Sequence, residues 1–98
     1  MSAKNFSVSQ DDHGIYHLHG ELSIHELDDL RGFLEESLKG EQEIAISLAK
    51  VRFIDTAVLQ LLIAFKKRFQ PEAKLRISDV SSEVEKVLSL CGLKTTLV

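Results

Sequence analysis

Val51-Arg52-Phe53-Ile54-Asp55-Thr56-Ala57-Val58-Leu59 is the stretch on which the reading of this chain turns. An apolar strand exit runs into an Asp-Thr pair, and a helix nearly free of polar residues follows. At such a junction a carboxylate and a hydroxyl stand beside the unpaired N–H groups that open the helix. The position suits a cap, and it suits a phosphate equally, because open amides and the helix dipole favour negative charge there. Asp and Thr are common helix starters, so the residues alone lean toward capping and leave the second reading open.

Downstream of the junction, the second helix is predicted from about residue 56 to 69. It stops before Gln70-Pro71, since a residue preceding proline avoids helical angles. Val58, Leu61, Leu62, Phe65 and Phe69 form its core face. Thr56, Gln60, Ile63 and Lys67 form the opposite stripe, spaced four, three and four residues apart and bordered by Leu59. Ile63 is apolar on a stripe that should be wet, so either a neighbouring helix or a partner protein covers it. Phosphorylating Thr56 would add about two negative charges beside Asp55. A helix start tolerates that charge, whereas an apolar or acidic surface docked against it does not.

Upstream, Ile44-Ala45-Ile46-Ser47-Leu48 reads as a central strand. Ile44, Ile46 and Leu48 would face covering helices, and Ala45 and Ser47 a less crowded face. Phe6 and Val8 alternate with polar residues, Asp11-Asp12-His13-Gly14 is a turn, and Ile15-Tyr16-His17-Leu18-His19 is a second strand. Together they predict an antiparallel hairpin ended by Gly20. Ser23 and Glu26 have the spacing of a capping box for a first helix. Its apolar stripe is Ile24, Leu27, Leu30, Leu34 and Leu38. Asp28 and Asp29 near its start and Lys39 near its end suit the dipole, and Gly40 is the natural residue past its end.

Beyond the second helix, Lys74-Leu75-Arg76-Ile77 predicts another strand. Ser81 or Ser82 caps a third helix whose shared face is Val84, Val87, Leu88 and Cys91, closed by Gly92. Leu97-Val98 is a last edge strand or a tail. The order β-β-α-β-α-β-α implies right-handed crossovers. It predicts an α/β fold with a mainly parallel, mixed sheet of four to five strands and helices largely on one face.

Bulk properties narrow the function. The 98 residues suit a single domain, 1–98, and 44% hydrophobic with 28% charged residues suits a folded globular chain. A net charge of -3 gives no basic face for nucleic acid. Cys91 is the lone cysteine, so neither a disulfide nor a thiolate cluster is expected, and a reducing compartment fits. Met1-Ser2-Ala3-Lys4-Asn5 lacks the apolar run of a signal peptide, and the longest apolar stretch, 57–65, is broken by Gln60 and too short to span a bilayer. A cytoplasmic chain without membrane insertion is expected.

Catalytic patterns are absent from the sequence: it has no Gly-rich phosphate loop, no nucleophile elbow and no His-Glu-x-x-His. No enzymatic activity, metal or cofactor is expected. His17 and His19 share a strand face and His25 is near in sequence, but a solvated face explains them. Cys91 reads as a small core residue. Lys66-Lys67-Arg68 in the last turn of the second helix is accounted for by the helix dipole.

At this point the chain resembles the STAS domain family, the bacterial anti-sigma factor antagonists and their relatives. The resemblance rests on Gly20-Glu21-Leu22 before the first helix, the strand at 44–48, Phe53-Ile54-Asp55-Thr56-Ala57-Val58-Leu59, and residues 84–93 ending in Leu90-Cys91-Gly92-Leu93. Order and spacing carry it over nearly the whole chain. The family signature, approximately Asp-Ser/Thr-Ser/Ala/Gly-Gly-Leu, implies Thr56 as phosphoacceptor with Asp55 beside it. The resemblance implies a partner surface made of Asp55, Thr56, Ala57, Leu59, Gln60, Ile63 and Lys67. It further implies an anti-sigma factor of the serine-threonine kinase type as partner, release by phosphorylation, and a phosphatase that resets the module.

Val58 stands where the family usually has Gly, Ser23 where it has Asp, and Ser47 where many members have Asp. The run Asp-Thr-Ala-Val-Leu-Gln-Leu-Leu is similar to members of two other kinds: subunits of ABC-transporter ATPases in lipid transport, and small proteins of chemosensory systems. Those relatives imply an alternative in which Thr56 is a contact and is not phosphorylated.

Overall fold

The computed structural model describes residues 6–39, 43–68 and 75–97. Strand β1 (Phe6–Gln10) turns back into β2 (Tyr16–Leu22); α1 (Leu27–Ser37), β3 (Ile44–Ile54), α2 (Thr56–Arg68), β4 (Leu75–Val80), α3 (Ser82–Leu90) and a short α4 (Lys94–Leu97) follow. The sheet order is β1-β2-β3-β4, with β1–β2 antiparallel and β2–β3 and β3–β4 parallel. This is the predicted α/β arrangement with four strands. The candidate last strand is instead helical: Leu97 ends α4 and is buried, while Val98 lies outside the described residues, as do Gly40, Phe69, Pro71 and Lys74.

Local chemistry explains the hairpin. Asp11 Oδ1 accepts the amides of His13 and Ile15 at 2.8 and 3.0 Å, the Asp11 amide bonds the Ile15 carbonyl at 3.0 Å, and Gly14 takes φ 81°, which a side chain would disfavour. One core then forms on one side of the sheet. Leu18 and Leu22 from β2, with Ile46 and Leu48 from β3, meet Leu30 and Leu34 from α1 and Val58 and Leu62 from α2. Tyr16 meets Phe33 of α1 edge-on at 5.2 Å between ring centroids.

Two expectations about α1 change. Ser23 and Glu26 do form a capping box, with Ser23 accepting the His25 amide and Glu26 Oε1 accepting the Ser23 amide at 3.3 Å. The box closes a 3-10 turn, Ile24–Glu26, and α1 proper starts at Leu27. Ile24 therefore falls out of the α-helical period and is 54% exposed, while Leu30, Leu34 and Leu38 are buried as predicted.

Strand β3 carries the structural surprise. Between His17 and His19, and again between Gly20 and Glu21, its pairing with β2 slips, and each slip places an extra residue on β3. The buried positions consequently run Ile46, Leu48, Val51, Ile54 rather than strictly alternating, and adjacent Arg52 and Phe53 are both exposed. Ser47, expected on a less crowded face, is buried, since it pairs with His17 on one side and Asp79 on the other.

Beyond Leu48 the neighbour of β3 is no longer β4. The Ser81 amide bonds the Leu48 carbonyl at 3.1 Å, and Ser81 Oγ donates to the Val51 carbonyl at 2.6 Å while accepting the Val84 amide at 3.1 Å. A single hydroxyl thus caps α3 and fixes it along the end of β3. Gly92 closes α3 at φ 66°, with the Leu93 amide reaching back to the Leu88 carbonyl at 2.8 Å. Cys91 is exposed, against expectation, because residues 89–92 have run past the core.

Candidate functional site

The candidate site lies where the parallel strands end and their connections turn back. The Asp55 amide donates to the Leu22 carbonyl at 2.9 Å, which ties the start of α2 to the end of β2. Asp55 Oδ1 accepts the Ala57 amide at 2.9 Å, so Asp55 is the cap of α2. Thr56 is exposed, and its hydroxyl has no hydrogen-bond partner among the described residues. Asp55 and Ala57 are half-buried. The carboxylate and the hydroxyl therefore divide their duties: the first holds the helix, and the second faces solvent.

Along α2 the structure separates the predicted surface residues into two sets. Thr56, Gln60 and Lys67 are exposed as expected, and Ala64 completes their ridge. Leu59 and Ile63 are corrections: Leu59 is fully buried and Ile63 is 5% exposed, so neither meets a partner directly. Residues 59, 63 and 66 follow one flank of the helix. The ammonium of Lys66 on that flank donates to the Leu97 carbonyl of α4, which locates a neighbouring helix against it. For Lys66, the helix dipole is thus not the whole account of the cation cluster. Leu61, expected in the core face, is half-buried.

The surface also contains residues not anticipated from sequence. Phe53, two residues before Asp55, is 49% exposed beside Arg52. With Ser82, Glu83, Lys86 and Val87 of α3 these two line an open groove of about 400 Å³. Ile24, two residues beyond Leu22, adds a second exposed apolar side chain at the same end of the sheet. Glu83 is held below the usual carboxylate range, first by its own amide at the start of α3 and then by the Ser82 hydroxyl at 3.0 Å. The signal for Phe53 was the Arg-Phe pair itself. Two large residues preceding buried Ile54 fit an unbulged strand only if one of them points inward.

The histidines are placed elsewhere. His17 Nε2 donates to Asp11 Oδ2 at 2.9 Å, and His19 Nε2 lies 3.0 Å from Ser9 Oγ, both on the sheet face opposite the helices. Among the described residues no three His, Cys, Asp or Glu side chains are grouped to hold a metal ion, and no helix is long and apolar enough to cross a membrane.

The model of the STAS domain family matches residues 7–97, nearly the whole chain from β1 to α4. The chain belongs to the STAS domain family. Its class is that of regulatory and protein-interaction modules. Among curated proteins, none matches the chain.

Proposed function

We propose that this chain is a non-enzymatic regulatory module that docks a protein partner on the exposed ridge Thr56, Gln60 and Lys67, with Phe53 at its rim. Phosphorylation of Thr56 releases that partner. The observation that carries the reading is the division at the junction: Asp55 caps α2, leaving Thr56 exposed at its first position. A phosphoryl group there faces solvent at the positive end of the α2 dipole, so the module tolerates it. A docked surface loses its fit, because about two negative charges arrive beside Asp55 at the centre of the contact. The partner in this reading is an anti-sigma factor of the serine-threonine kinase type, reset by a phosphatase, in the cytoplasm.

The test compares partner affinity for wild type, Thr56→Ala and Thr56→Asp, with the intact mass of the protein from cells before and after phosphatase. Thr56→Asp should weaken binding at least tenfold, Thr56→Ala should bind constitutively, and a phosphatase-sensitive mass should be present. Wild-type binding by both variants overturns the switch.

The run Asp55-Thr56-Ala57-Val58-Leu59-Gln60-Leu61-Leu62 favours a second reading, an accessory subunit of an ABC-transporter ATPase or of a chemosensory system. In that case Thr56 is a contact only. Cellular protein without a phosphorylated form, combined with lost binding in both variants, supports it.

A further inference from the structure

The two edges of the sheet are defended unequally. On β4, Arg76 is ion-paired to Glu43 at 3.6 Å, Asp79 is exposed, and the pairing with β3 is irregular beside Ile46. Charge and irregularity are what keep a strand edge from pairing with another chain. Strand β1, Phe-Ser-Val-Ser-Gln, has no charge, no proline and an unbroken register against β2, and Ser7, Val8, Ser9 and Gln10 are all exposed.

The turn decides which backbone groups this edge presents. The Asp11 amide bonds the Ile15 carbonyl across the hairpin, so by the alternation of an antiparallel ladder Ser9 and Ser7 also aim their polar groups at β2. Val8 and Gln10 then turn their N–H and C=O outward. The Val8 side chain stands on the core side of the sheet, in register with buried Leu18, yet is 38% exposed. An apolar side chain and a regular row of backbone donors and acceptors thus share one edge that no other described strand pairs with.

We propose that β1 pairs antiparallel with β1 of a second copy of this chain, about a two-fold axis at Val8. The strand is suited to itself. Two-fold pairing sets the outward N–H and C=O of Val8 against those of the other Val8, brings the two Val8 side chains together, and places Ser7 opposite Ser9. No like charges meet at this neutral edge. The axis is perpendicular to the sheet, so the helices of both copies stay on one face of a continuous eight-stranded sheet. Strand β2 separates this edge from β3 and the Thr56 ridge, so pairing and the docking proposed above are independent.

Sedimentation equilibrium from micromolar to millimolar chain tests the pairing. Wild type should show a concentration-dependent doubling of mass. Val8→Lys, which sets like charges on the axis, should remain monomeric across the range with unchanged circular dichroism. Val8→Pro should do the same, because its missing N–H faces outward and proline is tolerated there. In a Cys91→Ser background, Val8→Cys should form a crosslinked dimer on mild oxidation, since directly opposed residues of such a pair are close enough for a disulfide. A monomeric wild type throughout, or dimers that survive Val8→Lys, overturns the proposal.

Discussion

Asp55 Oδ1 accepts the amide hydrogen of Ala57 at 2.9 Å. This bond settles which member of the Asp-Thr pair holds the helix. A cap must precede the first helical residue, and Thr56 is already that residue. Asp55→Ala should therefore cost about 1 kcal/mol of stability, while Thr56→Ala should cost within about 0.5 kcal/mol. Urea unfolding of the two variants checks the split; equal losses would return Thr56 to a capping role.

Ile63 and Gln60 give a second contrast on the same helix. A glutamate at 63 puts a charged group into a buried flank, so Ile63→Glu should cost about 3 kcal/mol or more and lower the melting temperature sharply. Gln60→Glu, on the exposed ridge, should stay within about 0.5 kcal/mol of wild type and weaken only the binding of a partner. Thermal melts followed by a binding titration distinguish these outcomes.

Phe53 is turned out of the core by the slip between Gly20 and Glu21, so its ring contributes little to folding. Phe53→Ala should lower the unfolding free energy by less than about 1 kcal/mol and weaken partner binding about tenfold, which is about 1.4 kcal/mol. A large fall in melting temperature would mean that the ring is structural.

Acid should act on the hairpin. Asp11 has its pKa lowered from 3.8 to about 2, first by the hydrogen bond from the His17 ring and then by the Ile15 amide. Burial opposes the shift, while the His13 amide and the charge of His17 add to it. The folded pKa lies below the unfolded one, so this stabilisation is fully present above about pH 4 and is lost as pH falls toward 2. Asp11→Asn should be less stable than wild type at neutral pH, and the gap should close across that acid window. Urea denaturation at several pH values measures it; a gap that persists at pH 2 would remove Asp11 from the account.

Much of the scaffold is legible in the sequence, because it rests on neighbours along the chain. The Asp11-Gly14 turn, the Ser23–Glu26 box, the Leu30-Leu34-Leu38 stripe and the Gly92 stop are each closed by hydrogen bonds or spacings within a few residues. Capping rules and periodicities describe interactions of that range. Ile24 shows their limit, since one 3-10 turn was enough to rotate it away from the helix stripe.

The candidate site divides along the same line. Sequence by itself determined that an Asp-Thr pair opens the second helix, and that Thr56, Gln60 and Lys67 share a face. Only the tertiary structure decided what lies beside them. Ile63 is covered because a four-residue helix at the far end of the chain folds back against its flank, tied by Lys66 to Leu97. Phe53 is uncovered because β3 carries extra residues relative to β2. Both outcomes depend on contacts between segments distant along the chain, and a local pattern contains no information about which neighbour arrives to fill a face.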